Sequence, residues 1–262
     1  MTRHQHKTTI MVNKIALVTG GSRGLGKDMA LSLAKKNIDV ILTYHSKKEE
    51  AEIVVAAIQE NGQKAVALPL DVGNLKSFDH FINLVSEALH TNWNRGRIDF
   101  LINNAGMGAH IPIADVTEEI FDNFLNVHFK GVYFLTQKLL LKMNDGGGII
   151  FISSGTTRFS VPGYSVYAPM KGAIEVLSRY VAKEYGRRGI RSNVVAPGAI
   201  QTDFNNGANR DNPERVALMT RLTALGRAGN ADDIGSVVAF LCTDDAKWIN
   251  GQRIEVSGGV NI

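Results

Sequence analysis

Only one cysteine, Cys242, stands among 262 residues, so no internal disulfide can form. Nothing in the chain therefore points to an oxidising compartment, and a cytoplasmic location is expected. Long apolar runs are missing as well: no stretch approaches the roughly 18 residues that a bilayer-spanning helix requires. The first 13 residues, MTRHQHKTTIMVN, are polar and lack the apolar centre of a signal peptide, so they are expected to form a flexible tail. His4 and His6 on that tail make too small a set for a metal site, and no metal is expected. A surplus of one charge is absent too. The 29 Lys and Arg face 25 Asp and Glu, leaving a net charge of +4 that is spread along the chain rather than gathered in a basic stripe. Neither nucleic acid nor a membrane is an expected partner.

Hydrophobic residues make up 44% of the chain, enough for a packed core. Short runs rich in Val and Ile recur at 15–19, 40–44, 65–70, 98–103, 148–153, 190–196 and 253–257. Between them lie longer segments with apolar residues at three-to-four spacing, including one long helical stretch over 118–143. Continuously apolar strands separated by helices predict an α/β fold: one doubly wound Rossmann-type parallel sheet of about seven strands, in a single domain over 14–262. Ligands of such sheets bind at the carboxyl ends of the strands. The rhythm breaks at 202–230, rich in Asn, Gly and Arg, which reads as an irregular insertion, either a substrate lid or a plain surface loop.

Directly after the first strand comes Thr19-Gly20-Gly21-Ser22-Arg23-Gly24-Leu25-Gly26, followed by a helix. Glycines in that position let the backbone approach a pyrophosphate, which the helix N-terminus then stabilises. After the second strand, where an NAD-selecting fold places an acid for the ribose 2′-hydroxyl, the chain reads Tyr44-His45-Ser46-Lys47-Lys48. No carboxylate is present there. Arg23, with Lys47 or Lys48, could instead neutralise a 2′-phosphate, although the two lysines also suit a solvated helix start.

Tyr167 and Lys171 are four residues apart, one face of a helix, and Ser154 lies thirteen residues before the tyrosine. A nearby ammonium favours the phenolate and is expected to bring the tyrosine closer to working pH. Tyr167 would then pass a proton to or from a carbonyl oxygen, which Ser154 would also hydrogen-bond. Pro169 is tolerated if the helix begins just before Tyr167, because first-turn N–H groups have no internal partner.

Taken together, Thr-Gly-x-x-x-Gly-x-Gly at 19–26, Asn-Asn-Ala-Gly at 103–106, Tyr-x-x-x-Lys at 167–171 with its upstream Ser154, and Pro-Gly-x-x-x-Thr at 197–202 resemble the short-chain dehydrogenase/reductase family. The resemblance runs from about Lys14 to Ile262. It implies an NADP(H) site made of Gly20, Ser22, Arg23, Gly24, Leu25, Gly26, Tyr44, His45, Ser46, Asp71, Val72, Asn104, Ala105, Gly106, Tyr167, Lys171, Pro197, Gly198, Ile200 and Thr202. In that reading Asp71 contacts the adenine, Asn104 lies on the adenosine side, Thr202 touches the nicotinamide carboxamide and Lys171 also holds the nicotinamide ribose. Asp71 as a helix cap and Asn103 as a turn residue remain open alternatives. Substrate would meet Ser154, Thr156, Val161, Tyr164, Tyr167, Phe204 and Met219. Segment 239–262 resembles the carboxyl-terminal part that family members pack across a tetramer interface, which implies a homotetramer.

One position departs from the family pattern. Where a helical Asn two residues before Lys-Gly usually completes a proton relay to the lysine, this chain has His128. Asn126 is expected to face away, two helical positions off. His128 is expected to line the site as a neutral ring, with a purely packed histidine as the alternative. The expected activity is hydride transfer between NADP(H) and a small-molecule carbonyl or secondary alcohol. Reduction of a 3-oxoacyl carrier protein, oxidation of a sugar or polyol, and a catalytically silent NADP-binding sensor or scaffold are the alternatives.

Overall fold

The computed structural model describes residues 13–205 and 207–262, so His4, His6 and all of the expected tail but Asn13 lie outside it. Seven parallel strands form one sheet: β1 (Lys14–Val18), β2 (Ile38–Tyr44), β3 (Ala65–Pro69), β4 (Ile98–Asn103), β5 (Met143–Ile152), β6 (Arg191–Pro197) and β7 (Arg253–Val256). Their order across the sheet is β3-β2-β1-β4-β5-β6-β7. The chain steps outward from β1 to β3 and then returns to place β4 on the other side of β1, so the sheet reverses direction between β1 and β4. At such a switch point the connections leave on opposite faces and open a crevice above the strand ends.

Side chains alternate between two cores because successive strand residues point to opposite faces. Ala16 and Val18 of β1 pack with Met29 and Leu33 of α1 (Gly24–Ala34), Val54 and Ile58 of α2 (Lys48–Glu60), and Val238 of α9 (Ala231–Leu241). Ile15 and Leu17 pack on the other face with Phe78, Phe81 and Val85 of α3 (Phe78–Trp93), Leu135 of α5 (Gly131–Leu140) and Ile174 of α6 (Tyr167–Tyr185). Both faces are covered, which is why the strands read as unbroken apolar runs.

The long helix expected over 118–143 is divided. α4 (Glu118–Leu125) passes into a single π turn at Asn126–Lys130 before α5 begins. Gly131 stands at the junction, where a Cβ would meet the Val72 carbonyl oxygen at 1.9 Å, so only glycine lets the helix approach the end of β3 so closely. The insertion also differs from expectation. It folds into α7 (Ala208–Asp211) and α8 (Pro213–Leu222), with Asn212 capping α8 through its side chain and Pro213 in the first turn. Among the described residues no helix is long and apolar enough to cross a membrane.

Candidate active site

One cleft of about 1140 Å³ opens above the carboxyl ends of β1, β4, β5 and β6 and is roofed by the 202–230 segment. That exceeds the span of roughly 300 to 1,000 Å³ common for single small-molecule pockets, leaving room for two ligands side by side.

The glycine turn forms one end. A Cβ on Gly26 would lie 2.1 Å from the Gly20 carbonyl oxygen, so the turn folds back on itself more tightly than any side chain allows. Thr43 Oγ1 accepts from Gly20 N at 3.1 Å, and Asn104 Nδ2 donates to the Thr19 oxygen at 2.8 Å and to the Gly20 oxygen at 3.2 Å. Asn104 therefore braces the turn with its side chain while bordering the cleft. Ser22, Arg23, Gly24 and Leu25 continue the lining into the N-terminus of α1, where the first N–H groups are free to meet an anion. Arg23 is exposed and has no side-chain partner among the described residues. His45, Ser46 and Lys47 follow on the same wall.

Tyr44 is a correction. Strand alternation sends Thr43 and His45 to the cleft and Tyr44 away from it, against the core between β1 and α2. Asp71 does not cap the following helix: its Oδ1 accepts from Gly73 N at 2.9 Å, turning the chain so that Asp71 and Val72 both border the cleft. Asn103 lies below, buried, and its amide donates to Thr136 Oγ1 at 3.0 Å. Ala105 and Gly106, then Pro197, Gly198, Ile200 and Thr202, line the middle of the cleft.

The reaction centre forms where β5 meets α6. Ser154 follows β5, and both the N–H and the hydroxyl of Thr156 donate to its Oγ, at 3.2 and 2.9 Å. α6 starts at Tyr167, so Pro169 does fall in the first turn. Tyr167 and Lys171 are nearly buried and both face the cleft. Lys171 Nζ donates to the Ile152 oxygen at 2.8 Å and stands 5.6 Å from the centre of the Tyr167 ring. Burial lowers the ammonium from 10.5 to about 8. Burial also pushes the Tyr167 phenol well above its usual value, with the Ser154 hydroxyl offsetting part of the rise. The phenol is thus held protonated, contrary to the expectation of a lowered value, because burial disfavours the phenolate.

Thr156, Val161, Tyr164, Phe204 and Met219 all border the same cleft as Tyr167. The Tyr164 and Phe204 rings each lie 6.1 Å from the Tyr167 ring.

His128 sits on the π turn, buried, with its ring 5.1 Å from that of Tyr167 and 5.5 Å from that of Phe124. Nε2 pairs with the Met107 carbonyl oxygen at 2.8 Å, which makes Nε2–H the donor and leaves Nδ1 as an acceptor. Nδ1 is the buried side-chain polar atom without a partner among the described residues. Burial, and then the nearby Lys171 charge, depress the imidazole well below 6.5, so it is neutral. Asn126 does not face away: the wider π turn leaves Asn126, Val127 and His128 all on the cleft.

Two sets of residues escaped the sequence reading. Glu175, one turn beyond Lys171, accepts from Ser153 Oγ at 2.6 Å, Thr157 Oγ1 at 2.8 Å and Arg253 Nε at 2.9 Å, while Arg253 Nη2 donates to the Ser154 oxygen at 3.3 Å. This cluster fixes the loop that carries Ser154, and its only sequence signal is the spacing of four from Lys171. Arg215, on α8, also borders the cleft.

A family model described as enoyl-(acyl carrier protein) reductase matches residues 20–261. An uncharacterized oxidoreductase of Methylorubrum extorquens is 39% identical over 94% of this chain and 97% of its own length. Among solved structures, the keto-reductase LugOII superimposes with a TM-score of 0.91 at 36% identity, covering 96% of this chain and 99% of that one. The angucycline C-6 ketoreductase LanV, with bound NADP, gives 0.91 at 33% identity over 95% and 96%; the same reductase has also been solved with NADP and rabelomycin, at a TM-score of 0.87. With the motifs, the sheet order and these matches in agreement, the chain belongs to the short-chain dehydrogenase/reductase family of oxidoreductases.

Proposed function

We propose that the chain is an NADP(H)-dependent carbonyl reductase acting on bulky, multi-ring ketones, with Tyr167 as the acid. The observation that carries the reading is a buried phenol, held protonated, beside Ser154 in a cleft large enough for a dinucleotide and a polycyclic substrate. NADP bound to LanV and rabelomycin bound to the same reductase support the cofactor and substrate class. The glycine turn fits a dinucleotide, since Gly20, Ser22, Arg23 and Gly24 border the cleft at the N-terminus of α1, where free N–H groups suit a pyrophosphate.

NADPH, when bound, supplies the hydride to the carbonyl carbon. The α1 N-terminus would hold the pyrophosphate, and Arg23, without a side-chain partner among the described residues, would meet the 2′-phosphate. Ser154 Oγ hydrogen-bonds the substrate oxygen and Tyr167 gives it the phenolic proton as charge develops there. Burial favours the protonated tyrosine, the form that reduction needs. The Tyr167 phenolate left behind takes a proton back from Lys171, and Lys171 is reprotonated through a bridging water that His128 Nδ1, unpartnered among the described residues, is placed to hold by accepting from it.

A panel of tetralones and larger fused-ring ketones, followed by NADPH consumption, tests the reading; turnover of sugars or polyols alone would overturn it. Arg23→Ala should weaken NADPH binding about tenfold or more and leave NADH binding almost unchanged, by the loss of a charge-assisted phosphate contact. Fluorescence titration of both cofactors checks this. His128→Asn should keep most activity, whereas His128→Leu should lower turnover by about 10 to 100-fold, the low end for a positioned proton-transfer group. Stability carries a second signature. The unfolded state binds a proton below 6.5 that buried His128 refuses, so wild-type stability falls as pH drops through 6.5, and His128→Leu should flatten that fall in a thermal melt series.

A homotetramer and a cytoplasmic location belong to the same proposal. Exposed Trp248, Phe240 and Ile262 support the first, and light scattering tests it; the lone, buried Cys242 supports the second.

A further inference from the structure

Charge is unevenly placed in the roof of the cleft. Arg210 is neutralised twice over, by Asp203 and by Asp211. Arg215, on the adjoining helix α8, has no carboxylate within ion-pair distance among the described residues. Its partners are neutral: Nε donates to Asn209 Oδ1 at 2.9 Å, and Nη2 donates to the Tyr164 hydroxyl. The guanidinium carbon stands 5.9 Å from the centre of the Tyr164 ring, whose own centre is 6.1 Å from that of Tyr167. Arg215, Tyr164 and Tyr167 all border the one cleft.

A guanidinium has five N–H donors in a planar fork suited to a carboxylate or a similar pair of oxygens. The two side-chain bonds named above leave donors over. A partly covered cation without a counter-ion is an unfavourable arrangement that a ligand anion relieves. The tyrosine hydroxyl and the asparagine amide hold the side chain in place without discharging it, so its orientation is set before any ligand arrives, and little entropy is lost on binding. Phe204 and Met219 supply apolar surface on the same cleft for the frame that would connect the two ends.

We propose that Arg215 recognises an anionic oxygen group, a carboxylate or an enolate, on the fused-ring ketone that the site reduces. Tyr164 neighbours both Arg215 and Tyr167, so the anion would sit beside Tyr164, on the part of the frame that faces the roof. The inference rests on the carbonyl-reductase reading for the identity of the ligand, and its test is a binding measurement that needs no turnover.

Calorimetric titration of the NADP⁺-loaded protein with 2-naphthoate and with its neutral match, methyl 2-naphthoate, separates charge from shape. Wild type should bind the naphthoate about tenfold or more tightly than the ester, the scale of one charge-assisted contact. Arg215→Gln should bring the two affinities together, while Arg215→Lys, which keeps the charge and loses the fork, should retain part of the preference. Tyr164→Phe, which removes the hydroxyl that holds the guanidinium, should loosen naphthoate more than ester. Equal affinities in wild type, or a preference that persists in Arg215→Gln, would overturn the proposal. Equal weakening of both ligands by Arg215→Gln would make Arg215 a strap that merely positions the roof, and would overturn it as well. A lost preference alongside normal reduction of neutral tetralones leaves the carbonyl-reductase reading standing; a clear preference without reduction of any ketone defeats that reading and not this one.

Discussion

Tyr167→Phe should lower turnover about 10²- to 10⁴-fold while leaving NADPH affinity within a few-fold of wild type. The substitution deletes one hydroxyl from a nearly buried ring, the group proposed as the acid next to Ser154. General acid catalysis by a positioned group contributes on that scale. The ring itself remains to pack against His128, Tyr164 and Phe204, so the walls of the cleft should hold. Steady-state kinetics with a fused-ring ketone, together with cofactor titration, measures both halves. Activity within a few-fold of wild type would assign the proton to another group.

Lys171→Met should remove activity at least as completely and weaken cofactor binding too, yet should not unfold the protein. Burial holds the lysine at about 8 against 10.5 in an exposed chain, a difference of about 3 kcal/mol against the native state at neutral pH. Methionine fills similar space without that charge. The Ile152 carbonyl loses its donor, which costs about 1 to 3 kcal/mol, so the net change at pH 7 should be neutral to slightly stabilising. The pH dependence distinguishes this from simple repacking. Between about 8 and 10.5 the unfolded lysine keeps a proton that the native lysine has released, so wild type gains stability as pH rises through that window and the variant does not. Melting curves from pH 7 to 10.5 should therefore show wild type gaining on the variant by several degrees, at about 2 to 4 °C per kcal/mol for a domain of this size. A variant less stable than wild type by the same margin at every pH would show that no charge is buried there.

Both arguments depend on where the sequence could be read and where it could not. The strands were legible because burial on both faces writes each one as a continuous apolar run, and the glycine turn because its tightness excludes side chains at Gly26. Tyr44 was misplaced since a motif fixes the end of a strand and not which of two neighbours turns inward; Thr43 does. α8 was hidden because none of its residues is buried and its short apolar set, Leu218, Met219 and Leu222, sits in a segment rich in Asn, Gly and Arg, although Asn212-Pro213-Glu214 carries the cap, the first-turn proline and the first-turn acid of a helix start. The π turn left no periodic trace over only five residues, and with it went the correct placement of Asn126. The direction of the Tyr167 shift was misjudged for another reason. Spacing of four guarantees a shared helix face but says nothing of how deeply the ring is buried, and burial sets the direction of the shift.

The most direct measurement follows deuterium from 4,4-dideuterated NADPH into 2-tetralone, with the product analysed by mass spectrometry and proton NMR. The account predicts one deuterium on the carbinol carbon of the alcohol formed by wild type, with product formation falling about 10²-fold or more in Tyr167→Phe even when its cofactor site is saturated. Alcohol formed without deuterium, or labelled alcohol formed equally fast by Tyr167→Phe, would contradict it.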